Sequence, residues 1–147
     1  MELLFSIIGA VTGIVGMLAG LAAWFRYRMD AVVSYFDYDK NPEYIEARRA
    51  VHEMEKGVDI DSELGGKIAM VILTFNTNAL LVRKWLLPYW VFSNTPAMYA
   101  CINFYEKLEQ YIILRREDNP LYANEFEWLY KEILRKNKHI EWPNRKK

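Results

Sequence analysis

From Leu3 to Phe25 the chain places 23 residues, LLFSIIGAVTGIVGMLAGLAAWF, without a charge. Polar and apolar positions intermix after that. At about 1.5 Å per residue such a run exceeds the ~30 Å hydrocarbon core of a bilayer, so the pattern predicts one transmembrane helix. A cleaved signal peptide is the rival reading, but Glu2 stands where a basic region would be and the apolar run is too long. Arg26 and Arg28 follow the run and nothing basic precedes it. By the positive-inside tendency the amino terminus lies outside and the rest in the cytoplasm, as expected of a single-pass inner-membrane protein. Trp24, Phe25 and Tyr27 suit the inner interface.

Beyond the anchor the pattern predicts helices alone. Asn41-Pro42, Thr95-Pro96 and Asn119-Pro120 each put a capping side chain before a proline, whose missing N–H does no harm at a first helical position. The expected helices run from Pro42 to about Lys56 with a stop at Gly57, from Asp61 or Ser62 to Trp85 with a break before Pro88, from Pro96 to Glu117, and from Pro120 to Asn137. Glu127/Lys131 and Glu132/Lys136 make favourable i,i+4 pairs on the last of these. The segment IAMVILTF is too short for a second crossing, being followed by Asn76, Thr77 and Asn78 and then by Arg83 and Lys84. It reads instead as a core helix, with Trp85, Tyr89, Trp90, Phe92, Phe104, Tyr105, Tyr111, Phe126 and Trp128 supplying further core. The expected fold is all-α, a single amino-terminal transmembrane helix followed by a small cytoplasmic helical bundle. Residues 1–40 form the membrane helix with its extension, 41–138 the bundle and 139–147 a basic tail.

Within the span the glycines fall at 9, 13, 16 and 20, a period of about 3.5 residues. Each costs about 1 kcal/mol relative to alanine inside a helix. The same register collects Glu2, Ser6, Gly9, Gly13, Gly16, Gly20, Ala23, Tyr27, Asp30, Ser34 and Asp37, all small, polar or acidic apart from one tyrosine. Leu4, Ile8, Val11, Val15, Leu18 and Phe25 occupy the opposite face, which suits lipid. Such a stripe serves either of two structures. Small residues let helix backbones touch in a bilayer, and Gly9-x-x-x-Gly13 and Gly16-x-x-x-Gly20 match the pairing motif. In a ring of four or more helices, glycine in place of bulky seam residues leaves a lumen. Glu2 would then ring the outer mouth and Asp30 and Asp37 the inner one, where carboxylates attract cations.

Composition limits the other classes. The chain has 147 residues, 19 basic and 19 acidic, so it lacks the charge excess of a nucleic-acid binder. Removing Arg26 and Arg28 from the bases and Glu2 and Asp30 from the acids leaves 17 of each beyond the anchor. Cys101 is the only cysteine, which excludes an intrachain disulfide; it falls in an apolar helical stretch and reads as core. His52 lacks the second histidine of a helix-borne zinc site, LGGK lacks the rest of a phosphate loop, and Glu43, Glu46, Glu53 and Glu55 read as a solvated face. No nucleophile and base pair by spacing, so no enzyme, cofactor or metal is expected. Lys131, Arg135, Lys136, Lys138, Arg145, Lys146 and Lys147 give a basic carboxyl end, read as a solvated terminus or as a contact for the anionic inner leaflet, an acidic partner or a nucleotide.

The segment ARR at 47–49, the stretch LTFNTNALLVRKWLLPYWVF, and FYEKLEQYIILRREDNPLYANEFEWLYKEI at 104–133 resemble a bacterial family of small membrane-anchored proteins with a cytoplasmic helical domain of unknown function. The most telling piece is NPLYANEFEWL; the family's Asn-Phe-Phe-Glu in the middle helix stands here as TFNTN. In size and layout the chain is also similar to the membrane effector of the Hailong anti-phage system. That resemblance implies a homo-oligomer, a tetramer, whose ion path is controlled by a nucleotide-transferase partner or its nucleotide signal. The combined expectation is a cation-preferring channel gated through its cytoplasmic domain. The alternative is a membrane-tethered adaptor or scaffold whose helix only anchors and dimerises a binding domain.

Overall fold

A computed structural model describes residues 2–54, 62–93 and 96–138, with side chains from Ile8 onward. Among them are five α-helices, one short 3-10 turn and no strand. Helix α1 covers Glu2–Tyr38 as one uninterrupted element, α2 covers Pro42–Glu53, α3 covers Ser62–Arg83, α4 covers Pro96–Asp118 and α5 covers Asn124–Lys136; the 3-10 turn is Tyr89–Phe92. At about 1.5 Å per residue α1 is about 55 Å long, so a bilayer can hold only part of it.

The start of α2 follows its local code. Asn41 Oδ1 accepts from the backbone N–H of Glu43 at 2.9 Å and of Tyr44 at 3.3 Å, with Pro42 at the first helical position. The helix ends at Glu53, so the expected run to Lys56 is shortened, and Gly57 and Asp61 lie outside the described residues. Helix α3 ends at Arg83, and Trp85 turns the chain with φ 63.

The last helix corrects the expectation. Asn119-Pro120 opens a turn instead of a helix: Asn119 Oδ1 accepts from Leu121 N–H at 3.2 Å and its carbonyl from Tyr122 N–H at 2.9 Å. Helix α5 begins at Asn124, behind Ala123 at φ 57, which has no side chain to cap with. The cap comes from α3, where Asn76 Oδ1 accepts from Glu125 N–H at 3.0 Å and Phe126 N–H at 3.2 Å. Two donors that every helix start leaves unpaired are thereby satisfied across the bundle.

Helix α3 is central. It packs against α2 and α5, and α4 packs against α5 and the 3-10 turn. Ile68, Val71, Phe75 and Ala79 of α3 join Ala47, Val51, Leu87, Phe92, Met98, Leu108, Phe126, Leu129 and Ile133 in one buried core. Phe75 stacks on Phe126 at 4.8 Å and Tyr105 meets the same ring edge-on at 5.3 Å. Cys101 is fully buried, and burial pushes its thiol pKa up. Phe104, Tyr105 and Tyr111 are also core, as expected, but Trp85 and Trp90 are 77% and 58% exposed and are not.

Candidate functional site

Two helices are long and apolar enough to cross a membrane, Ile8–Tyr38 of α1 and Glu63–Arg83 of α3. Their surroundings differ. The apolar stretch of α1 is wholly exposed, whereas α3 buries one side in the bundle core. Length and composition are a coarse test that a core helix also passes.

On α1 the glycine face is bare in the single chain: a Cβ built on Gly9, Gly13, Gly16 or Gly20 meets nothing within 4 Å. Ala23, Tyr27, Asp30, Ser34 and Asp37 are exposed in the same register, while the side chains of Glu2 and Ser6 lie outside the described residues. Thr12 returns its hydroxyl to the Ile8 carbonyl at 2.7 Å, so this polar group is satisfied within its own helix. Of the two described carboxylates in this register, Asp37 stands 3.5 Å from Lys40, and Asp30 has no ion pair among the described residues.

The carboxyl-terminal third of α1 docks on the bundle. Val32 and Tyr35 pack against the core, and the Tyr35 ring meets Phe92 edge-on at 5.6 Å. Tyr38 meets Tyr44 at 5.0 Å, and Asp39, just past the helix end, pairs with Arg48 of α2. At about 100° per residue, Arg28, Val32 and Tyr35 sit roughly a quarter-turn or more from the glycine register. The glycines themselves stay bare, but Ala31, Ser34 and Tyr38 share the phase of Gly13, Gly16 and Gly20, about five turns further on, and there the bundle flanks the stripe. Ala31 and Ser34 line an apolar crevice of about 340 Å³ with Met70, Leu73, Thr77 and Leu81 of α3.

A second concavity was not foreseen. Arg48, Arg49 and His52 of α2 face Tyr99, Asn103 and Lys107 of α4 across an open groove of about 790 Å³ that no acidic side chain lines. The Lys107 ammonium donates to the His52 carbonyl at the end of α2, and the Arg48 guanidinium lies 5.6 Å from the Tyr44 ring centre and 5.9 Å from that of Phe104. Arg49 has no ion pair among the described residues. The sequence offered Arg48, Arg49 and His52 on neighbouring turns of α2, but Lys107 joins them only through the fold.

The acidic set of α2 is partly structural: Lys67 bridges Glu46 of α2 and Glu63 of α3, each at 2.9 Å. Gly65 and Gly66 beside it lie inside α3, three and four residues from its start. The expected pairs on α5 form, Lys131 with Glu127 and Lys136 with Glu132 at 3.2 Å. The tail from 139 to 147 lies outside the described residues. Among the described residues no three of His, Cys, Asp and Glu converge as a metal site.

No match is found among curated proteins or among solved structures. A family model described as a domain of unknown function does match, over residues 6–133, which takes in nearly all of α1 together with α2, α3, α4 and most of α5. Membrane-apolar helix and bundle thus fall within one domain definition, and the chain belongs to the DUF4760 family of domains of unknown function.

Proposed function

We propose that this chain is the subunit of a homo-oligomeric, cation-preferring ion channel, a tetramer by its likeness to the Hailong effector, acting in anti-phage defence. In this reading α1 is the only span, inserted in the inner membrane with the amino terminus outside and the bundle in the cytoplasm. The observation that carries the reading is the small-residue face of α1, unpartnered in the single chain and continuous with Asp30, Ser34 and Asp37 at its inner end. Glycines at seam positions let several helices surround a narrow lumen, and the carboxylates favour cations at its mouth. Val32 and Tyr35 dock the bundle to one side of the glycines, so a ring in this reading closes over Gly9 to Gly20 and leaves room for the bundles where Ser34 and Tyr38 meet α3 and α2. The burial of one side of α3 supports its assignment to the bundle.

Gating follows from the same geometry. A nucleotide-transferase partner, or the anionic nucleotide it makes, would meet the cationic groove of Arg48, Arg49, His52 and Lys107. Arg48 also holds Asp39 at the end of α1, so a ligand that binds one arrangement of this pair better than the other shifts the helix. The reading assigns no catalytic step and no cofactor.

Native mass spectrometry of the detergent-extracted full-length chain, with Gly13→Leu beside it, tests the proposal. A ring of four or more subunits that the substitution disrupts supports it, and cation flux through vesicles should fall with the ring. A monomer or dimer refutes the channel, because one or two single helices cannot enclose water, and leaves the membrane-tethered adaptor.

A further inference from the structure

Two exposed tryptophans of the bundle need a partner phase. Trp85 and Trp90 flank the corner between α3 and the 3-10 turn, and Trp85 is held outward by a backbone at φ 63, where a bulky side chain is costly. A soluble bundle gains nothing from that placement. The corner has a definite position along α1. Arg28, Trp85, Pro88 and Trp90 line one hollow of about 630 Å³, with Arg83 and Lys136 at its sides. Arg28 stands three residues past Phe25, the last residue of the uncharged run, and its guanidinium lies 4.7 Å from the Trp24 ring centre. The contacts from Tyr38 to Tyr44 and from Asp39 to Arg48 are ten or more residues further along, about 15 Å deeper at 1.5 Å per residue. Helix α3 runs back toward the span, so Arg83, Lys84 and Trp85 end it at the depth where α1 leaves the apolar run.

The hollow is aromatic and basic at once. Arg83 lies 5.9 Å from the Trp128 ring centre but is paired with Glu125 at 2.9 Å, and Lys136 lies 3.8 Å from the Tyr89 ring centre, so the positive charge left for a headgroup comes from Arg28 and Lys84, which have no ion pair among the described residues. The one acid in the lining, Glu132, is already held by Arg135 and Lys136. Tryptophan prefers the headgroup level of a bilayer, and lysine and arginine are drawn to its anionic leaflet.

We infer that the Trp85–Trp90 corner is a second membrane contact, which lays the bundle against the headgroups of anionic lipids beside α1. The inference rests on α1 being the span. It adds that the bundle is held at the surface at two points, so any gating motion must release or carry this corner.

The test reads tryptophan quenching by shallow brominated lipids, using the full-length chain in vesicles of phosphatidylcholine with phosphatidylglycerol. Wild type is compared with Trp24→Phe and with Trp85→Phe/Trp90→Phe. Trp128 and Trp142 are common to all three chains, so the double variant, which removes two belt tryptophans, should lose about twice the quenching that Trp24→Phe, which removes one, loses. In wild-type chain, the Trp85 and Trp90 share should also fall when phosphatidylglycerol is omitted or salt is raised, and excess inorganic phosphate should not displace it. If Trp24→Phe lowers the quenching and the double variant does not, the corner stays in water and the inference is overturned while the span stands. If neither variant lowers it, the span itself fails and the inference with it. A contact indifferent to lipid charge and salt would overturn the anionic-headgroup assignment. If the double variant does not fold, quenching of the wild-type chain by neutral acrylamide decides: protection must be greater in vesicles containing phosphatidylglycerol than in vesicles of phosphatidylcholine alone, and equal protection overturns the inference.

Discussion

Replacing Asn76 by alanine removes the only side-chain cap of α5 among the described residues. The side chain accepts two amide bonds, each worth about 1 kcal/mol net, and loss of a capping residue costs about 1 kcal/mol in general. Asn76 is only part-buried, so water recovers some of the loss; Ala123 at φ 57 cannot shift to supply another cap. The expected destabilisation is about 2 kcal/mol, which lowers a urea midpoint by roughly 1 M for a domain of this size. Near-ultraviolet circular dichroism of the full-length chain in mild detergent follows the change, because it reads the packed rings around Phe75 and Phe126. Asn76→Asp is the informative companion. It keeps the acceptor and places a negative charge at a helix start, where the dipole favours it by about 0.3–1 kcal/mol, so it should fall within half a kcal/mol of wild type. A midpoint unchanged in Asn76→Ala, or an aspartate as damaging as the alanine, would refute the cross-bundle cap.

Three further outcomes are expected. The paired guanidinium of Arg135, after it Lys136, holds the Glu132 carboxyl at about 2 against an ordinary 4.5, a depressed value whose stabilisation is complete above about 4.5 and lost as pH falls toward about 2. Stability should therefore decline over that window by about 1 kcal/mol or less, and Glu132→Gln, measured by the same unfolding assay at pH 6 and pH 3, should flatten part of the slope; parallel slopes would count against the pairing. The Cys101 thiol, buried with its pKa raised by desolvation, should react with a maleimide at least tenfold faster in denaturant than in the folded chain, and equal rates would mean that the core around it opens freely. Lys67→Met should leave the urea midpoint nearly unchanged despite the two carboxylate partners, because both are exposed, and a clear drop in the same unfolding assay would mean that the bridge matters more than its exposure allows.

What was legible in the sequence followed the range of the interaction concerned. Asn41-Pro42 foretold α2 because cap, proline and first amides are chain neighbours. The same dipeptide at 119–120 gave a turn, since the residue that starts α5 sits on α3, 49 residues before the amide it caps. TFNTN therefore reads locally as a polar interruption of an apolar helix, and only the fold shows Asn76 as the cap of another one. Trp85 and Trp90 misled for a related reason. Hydrophobicity marks a residue as averse to water without saying whether a protein core or a bilayer receives it, and a position outside the helical period carried no phase to decide.

The stripe of α1 lies between these cases. Its periodicity belongs to one helix and is visible in the sequence, whereas nothing in the single chain packs against Gly9, Gly13, Gly16 or Gly20. The fold narrows the choice through phase. Val32 and Tyr35 fix the bundle roughly a quarter-turn or more from Gly9, Gly13, Gly16 and Gly20, whereas Ser34 and Tyr38 share the glycine phase and meet α3 and α2, so helices meeting through the stripe would touch along its glycines and part at its carboxyl end. In the proposed ring, rotation of a bundle about α1 would turn the glycines and Asp30 toward or away from the axis together, since one unbroken helix carries both. A kink-forming Ala23→Pro should break that linkage, leaving subunits that assemble but no longer respond to their cytoplasmic domains. Retained gating in that variant would mean that the signal reaches the membrane by another route.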